Sequence, residues 1–135
     1  MLTLDIATPD RRVIGPVKVV SITLPGALGE MTILPGHARM VSVLDTGVVK
    51  FKTEAGKVES AAISNGFVDV NQEHVTVLAQ TLEMSHEIDL ERAKRAQAKA
   101  QDRLVEKNLS PETFSKYQLK LQRSLVRQQI SSGKI

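Results

Sequence analysis

Residues 74–100 read HVTVLAQTLEMSHEIDLERAKRAQAKA, and the fold turns on a change of spacing inside them. His74–Gln80 is a short apolar, β-branched run of strand type. Beyond Ile88 the spacing becomes helical: Ala93, Ala96, Ala100 and Leu104 stand at i, i+3, i+7 and i+11, one narrow seam on a 3.6-residue period. The run 89–107 holds strong helix formers with no Gly or Pro. Asp89 is placed to cap its first turn, where Glu91 favours the helix dipole. Two segments with different physics therefore join near residue 88.

Upstream the text is all β. Leu2, Leu4 and Ile6 alternate with Thr3 and Asp5, as in a half-buried strand. Residues 17–24, VKVVSITL, are apolar on both faces and suit an inner strand. Further runs at 32–34, 40–44, 47–53, 57–63, 67–70 and 74–80 make about eight short strands. In 47–53, Val49 and Phe51 should face inward, with Lys50 and Lys52 toward water. The breaks carry turn chemistry: Thr8-Pro9-Asp10, Gly15-Pro16, Asp45-Thr46-Gly47, Glu54-Ala55-Gly56, Asn65-Gly66 and Asn71-Gln72-Glu73. No helical stretch before residue 85 is long enough for a parallel crossover. The expected architecture is an antiparallel β-sandwich, or flattened barrel, over residues 1–87.

Downstream, Asn108 suits the left-handed end of a helix, and Ser110-Pro111-Glu112 gives an N-cap, a proline at the first helical position and an early acid. The second helix carries Phe114, Tyr117, Leu121 and Leu125 at i, i+3, i+7 and i+11. The link 108–110 is so short that the two helices must run antiparallel. Residues 88–135 are thus a helical hairpin with little core of its own, which must dock on the sandwich or on another protein.

The net charge of +3 over 135 residues hides an asymmetry. Residues 1–87 hold 7 Lys/Arg against 10 Asp/Glu, whereas residues 88–135 hold 11 against 5. The hairpin's cations are ordered: Arg92, Arg95, Lys99 and Arg103 form a stripe beside the alanine seam, and Lys116, Lys120, Arg123 and Arg127 form another. A plain solvated face, with Glu91–Arg95 as a local ion pair, accounts for such stripes; so does an acidic protein, nucleic acid, a membrane surface or a phosphate ligand. Nucleic acid is the weaker choice: aromatic residues are 3% of the chain, and no helix-turn-helix or finger signature occurs.

Other classes fall away. Cysteine is absent, which removes disulfides, thiol catalysis and Cys-based zinc sites. No apolar run approaches the roughly 20 residues of a membrane-spanning helix, and MLTLDIATPDRR lacks the form of a signal peptide. There is no phosphate-binding glycine loop of P-loop type. His37, His74 and His86 are too scattered to suggest a metal site or a catalytic triad. The chain does not read as an enzyme, and no cofactor is required.

The most specific text is LGEMTILPGHA (28–38), in which Pro35-Gly36 reads as a type II turn. Together with SNGFVDVNQEHVTVLAQTLE (64–83) and IDLERAKRA (88–96), in that order and spacing, it resembles the epsilon subunit of F-type rotary ATP synthases. The resemblance covers nearly the whole chain. It implies a non-catalytic subunit of the central stalk, peripheral on the cytoplasmic side of a bacterial plasma membrane. The sandwich would bind the gamma subunit and the polar loops of the proton-translocating c-ring. Glu30, Pro35, Gly36 and His37 match the rotor-contact motif Gly-Glu-x-x-Ile-x-Pro-Gly-His, with Thr32 and Arg39 standing where the family usually has glycine and proline.

The resemblance also implies a hairpin that moves between a compact form on the sandwich and an extended form that reaches the alpha and beta catalytic subunits and blocks ATP hydrolysis. Some relatives bind regulatory ATP at the compact hairpin. The matching residues here are Glu83, Ile88, Asp89, Arg92, Ala93, Arg123 and Arg127, the arginines suited to phosphates and the carboxylates to adenine or ribose. The same residues have a plain structural use, with Asp89 as a helix cap and Arg92 in a local ion pair. Both readings stand on sequence.

Overall fold

The computed structural model describes residues 1–10, 13–106 and 108–131. Seven strands lie among them: β1 (Leu2–Ala7), β2 (Val13–Gly26), β3 (Gly29–Ile33), β4 (Met40–Leu44), β5 (Gly47–Thr53), β6 (Val58–Asn71) and β7 (His74–Met84). Alternation dictates the packing. Leu2, Leu4 and Ile6 of β1 are buried, as are Val49 and Phe51 of β5, while Lys52 is exposed and Lys50 half-buried. These side chains join Val19, Ile22, Leu24, Ile33, Leu44, Val68, Val70, Val75 and Val77 in one apolar core.

The strand pairings close on themselves. β1 pairs with β2, β2 with β5, β5 with β6, β6 with β7, and β7 returns to β1. β3 extends β2, and β4 extends β6. The β1–β7 pairing is parallel and the others antiparallel, so this sandwich hides most of the sheet edges that would otherwise stand open.

Two sequence-based turn expectations are corrected. Asn65-Gly66 lies inside β6, so the runs 57–63 and 67–70 are one strand and the described strands number seven. β6 changes neighbour at this point, pairing with β5 through Ile63 and with β4 from Gly66. Thr46 Oγ1 donates to Asn65 Oδ1 at 2.8 Å and stitches the corner. Gly66 is needed for closeness rather than for a turn: a Cβ there would run into the Leu78 carbonyl and stand 2.9 Å from Ala79 Cα. Gly15-Pro16 likewise lies within β2, where Gly15 has φ +99° beside a register shift between Leu4 and Ile6 of β1. The Pro35-Gly36 turn forms as read, with Gly36 at φ +85° and His37 N donating to Leu34 O at 3.2 Å.

After a short 3-10 turn at Ser85–Glu87 come α1 (Leu90–Leu104) and α2 (Pro111–Ser131). Asp89 caps α1 by accepting from the Arg92 amide at 3.2 Å. Ser110 Oγ accepts from the Thr113 amide at 3.1 Å, and Pro111 opens α2 as expected. α1 stops at Leu104, short of the expected 107: Val105 leaves the helix and Glu106 N–H turns back to Arg103 O at 3.2 Å. Asn108, at φ +66°, therefore sits in the link rather than at the helix end, and Lys107 lies outside the described residues.

The antiparallel hairpin is visible in its cross-links, with Gln97 bonded to Gln128 at 2.7 Å and Arg103 over the Tyr117 ring at 5.1 Å. Ala93 and Ala100 are buried, as the alanine seam requires. The stripe expected on α2 divides. Tyr117 and Leu121 are half-buried, but Phe114 and Leu125 are exposed, and the buried positions are Ser124, Val126 and Ile130. The lower half of α2 has two neighbours, α1 and the sheet, so its buried residues do not fall on one stripe.

Gly66→Ala should lower the stability of the full chain by about 1–3 kcal/mol, the cost of overpacking a closely approached backbone. Urea unfolding measures it. An unchanged midpoint would show that β6 and β7 do not meet as closely as described.

Candidate functional site

Where α2 lies on the sandwich, a small apolar cluster forms. Val126 and Ile130, one helical turn apart, pack with Ala62 of β6, flanked by Val48 of β5 and by Ile88. Beside this seat Arg127 pairs with Glu83 near the end of β7. Among the described residues, these side chains form the apolar contact between hairpin and sandwich.

Above the seat the helices enclose a cavity of about 290 Å³, lined by Arg92, Ala96, Lys99 and Ala100 of α1 and by Tyr117, Lys120, Arg123 and Arg127 of α2. The alanines allow the backbones to come close, and the long cationic side chains wall the opening. Five of the eight lining residues are basic and none is acidic. Arg123 and Arg127 also line a second small cavity against Ala62, Ile63, Thr81 and Glu83, and the buried Nε of Arg123 has no hydrogen-bond partner. Burial pushes its guanidinium below the ordinary arginine value, and the neighbouring charge of Arg127 adds to the effect. An anion in the cavity would offset both effects.

The residues singled out from sequence take different places. Arg92, Arg123 and Arg127 line the cavity together. Glu83 does not line it, but pairs with Arg127 and shares the second cavity with Arg123. Asp89 is engaged at the α1 cap, Ile88 packs in the seat, and Ala93 is buried in the interhelical seam. No Glu91–Arg95 or Arg92 ion pair forms among the described residues. Lys99, Lys120 and Tyr117 line the cavity with Arg92, Arg123 and Arg127, beside Ala96 and Ala100. Both lysines stood in the basic stripes, but only the pairing of the helices shows which members converge.

The second group does not gather in one place. Glu30 lies near the start of β3, exposed, in a groove with Pro25, Asp45, Lys50, Val126 and Gln129. Pro35, Gly36 and His37 lie past the other end of β3, where Glu73 Oε1 accepts from the Gly36 amide at 3.2 Å. Among the described residues, no group of His, Asp or Glu is arranged to hold a metal ion.

Residues 1–85 match the family described as ATP synthase, Delta/Epsilon chain, beta-sandwich domain, and residues 86–132 match the long alpha-helix domain of the same chain. The chain belongs to the ATP synthase delta/epsilon family. The ATP synthase epsilon chain of Geotalea uraniireducens is 40% identical over 133 residues, spanning 97% of this chain and 94% of its own. That of Geobacter sulfurreducens is 39% identical over 132 residues, spanning 96% and 93%. A chain of the Euglena gracilis mitochondrial ATP synthase shares the fold with a TM-score of 0.82 at 23% identity, over 99% of this chain and 81% of that one. The two segments matched to the delta/epsilon family meet in the Ser85–Glu87 turn, where β7 has ended and the chain bends toward the helices.

Ile130→Ala should loosen the seat of this delta/epsilon chain without touching the sandwich core. Removing most of a buried Ile costs about 2 kcal/mol or more. Hydrogen exchange of α2 amides should therefore accelerate at least about tenfold, while β6 and β7 amides keep their protection. Equal acceleration in both segments would contradict a separable hairpin.

Proposed function

We propose that the chain is the central-stalk epsilon subunit of a bacterial, proton-translocating ATP synthase, non-catalytic and peripheral on the cytoplasmic side of the plasma membrane. Residues 1–87 form the attachment to gamma and the c-ring, and residues 88–135 form a regulatory hairpin. Near-full-length similarity to epsilon chains supports the assignment to the complex. The observation that carries the regulatory part is the disproportion between the sandwich core and the hairpin's seat.

Complete burial of one Val or Ile side chain stabilises by about 1.5–3 kcal/mol. Two such residues, less the entropy of fixing the hairpin, hold it by only a few kcal/mol. A competing surface with a differential affinity of that size can shift the hairpin away. α2 already carries the second surface: Phe114 and Leu125 are exposed, and a groove lined by Ser115, Gln118, Leu119, Leu121, Gln122 and Leu125 runs along it. Released from the sandwich, that face and the basic stripes would meet acidic and apolar surfaces of the catalytic alpha and beta subunits and block hydrolysis.

The sandwich offers a partner face of its own. Val43, Phe67 and Leu78 stand directly opposite one another across β4, β6 and β7, with Val41 two residues along, and all four are exposed. A contiguous apolar face of this kind marks a protein contact, which this reading gives to gamma. Glu30 and the Pro35–His37 turn, at opposite ends of β3, present polar groups to the c-ring loops. ATP is the regulatory ligand in this reading. Its phosphates bridge Arg92 on α1 to Arg123 and Arg127 on α2, and ligand bound only to the compact form stabilises it by mass action.

The test reconstitutes the catalytic hexamer and gamma with the full chain or with residues 1–87. Both should bind gamma, and the shortened chain should give ATP hydrolysis several-fold faster. Failure of both to bind gamma would overturn the stalk reading. Equal hydrolysis rates would remove the inhibitory role.

A further inference from the structure

We propose that the groove where the end of α2 meets the β2–β3 tip is one composite contact surface. Glu30 and Asp45 of the sandwich and Gln129 of the hairpin together receive a cationic side chain from a polar loop of the c-ring, so only the compact chain presents the whole contact. The inference rests on the reading of Glu30 as a ring contact and adds the hairpin to it.

The walls of the groove come from two bodies. Pro25 and Glu30 stand opposite each other across β2 and β3, Asp45 precedes β5 and Lys50 lies on it, and Val126 and Gln129 belong to α2. Glu30, Asp45 and Gln129 are exposed. The volume of about 500 Å³ lies within the range of about 300–1,000 Å³ that admits ligand-sized groups, enough for side chains of a loop. Among the described residues, the lining holds two carboxylates against the one ammonium of Lys50. That balance favours a cation in the occupant, and the Gln129 amide can hydrogen-bond beside it.

The groove and the hairpin's seat share a floor. Asp45 N–H donates to Pro25 O at 2.8 Å and Ala27 N–H to Val43 O at 3.1 Å, which ties the β2–β3 tip to the chain around the β4–β5 turn. Gly47 lies so close on Pro25 that an added Cβ would stand 2.6 Å from the proline Cβ. The next residue, Val48, lines the groove and also flanks Val126 in the seat. A continuous run of contacts therefore leads from the strand partner of Glu30 to the hairpin. When the hairpin leaves, the groove loses the wall made by Val126 and Gln129. A partner that spans both walls holds the hairpin compact by the same factor that the compact form adds to its binding.

Binding of the full chain, in complex with gamma, to c-rings in lipid nanodiscs at fixed ionic strength tests the proposal. Gln129→Lys should weaken ring binding about tenfold and Gln129→Glu should tighten it about threefold. Gln118→Lys, the same charge change about 16 Å away along α2, should stay within about twofold. Opposite signs at one position separate contact with a cation from disturbance of the seat, which would make both Gln129 variants weaker. Losses from both of them, or an equal loss from Gln118→Lys, would overturn the inference. Unchanged binding by the Gln129 variants beside a tenfold loss from Glu30→Lys would overturn it and leave the ring contact of Glu30 standing. No loss from any variant, Glu30→Lys included, would overturn both readings.

Discussion

The contact of Val126 and Ile130 with Ala62 determines what the rest of the hairpin can do. Because those two side chains rest on β6, α2 lies along the sandwich, Arg127 meets Glu83, and Arg123 is carried into the gap between helix and sheet. The sandwich does not depend on this contact in return. Its strands close in a ring around a core drawn from every strand, so loss of the seat would leave that core intact. One end of the molecule is therefore fixed by many buried side chains and the other by few. That asymmetry is what a body with a separable arm requires.

Charge follows the same division. The sandwich segment is net acidic and the hairpin net basic, and the Glu83–Arg127 pair is a point where the two signs meet. Within the hairpin, convergence of like charges works against the compact form. Arg123 is partly stripped of water beside Arg127 and has an unpartnered Nε. An anion between the helices, or an acidic surface elsewhere, would relieve that repulsion by different routes. In the proposed switch the same residues would favour either docked state, according to which partner is present.

Much of the fold could be read from short-range chemistry. Asp89, Ser110-Pro111 and Pro35-Gly36 act on neighbours within three residues, and each does in the structure what its type and spacing imply. Asn65-Gly66 has the text of a turn but lies mid-strand, because its glycine answers to the Leu78 carbonyl on another strand. Leu125 fits a helical period yet faces outward, since that half of α2 divides its packing between α1 and β6. The site was half legible for the same reason. Arg92, Arg123 and Arg127 stand in a recognisable motif, while Lys99 and Lys120 enter only once the rotation of each helix is set by its partner.

The claim at the centre of this account is that the hairpin's seat is real but weak enough to be exchanged. With no native cysteine in the chain, Lys52→Cys on β5 and Gln122→Cys on α2 admit a pair of spin labels at exposed positions. Pulsed electron resonance then measures the distance between sandwich and hairpin. The isolated chain should give one short distance, and addition of the catalytic hexamer with gamma should bring in a second, longer one. A single short distance that persists in the assembled complex would contradict a movable hairpin.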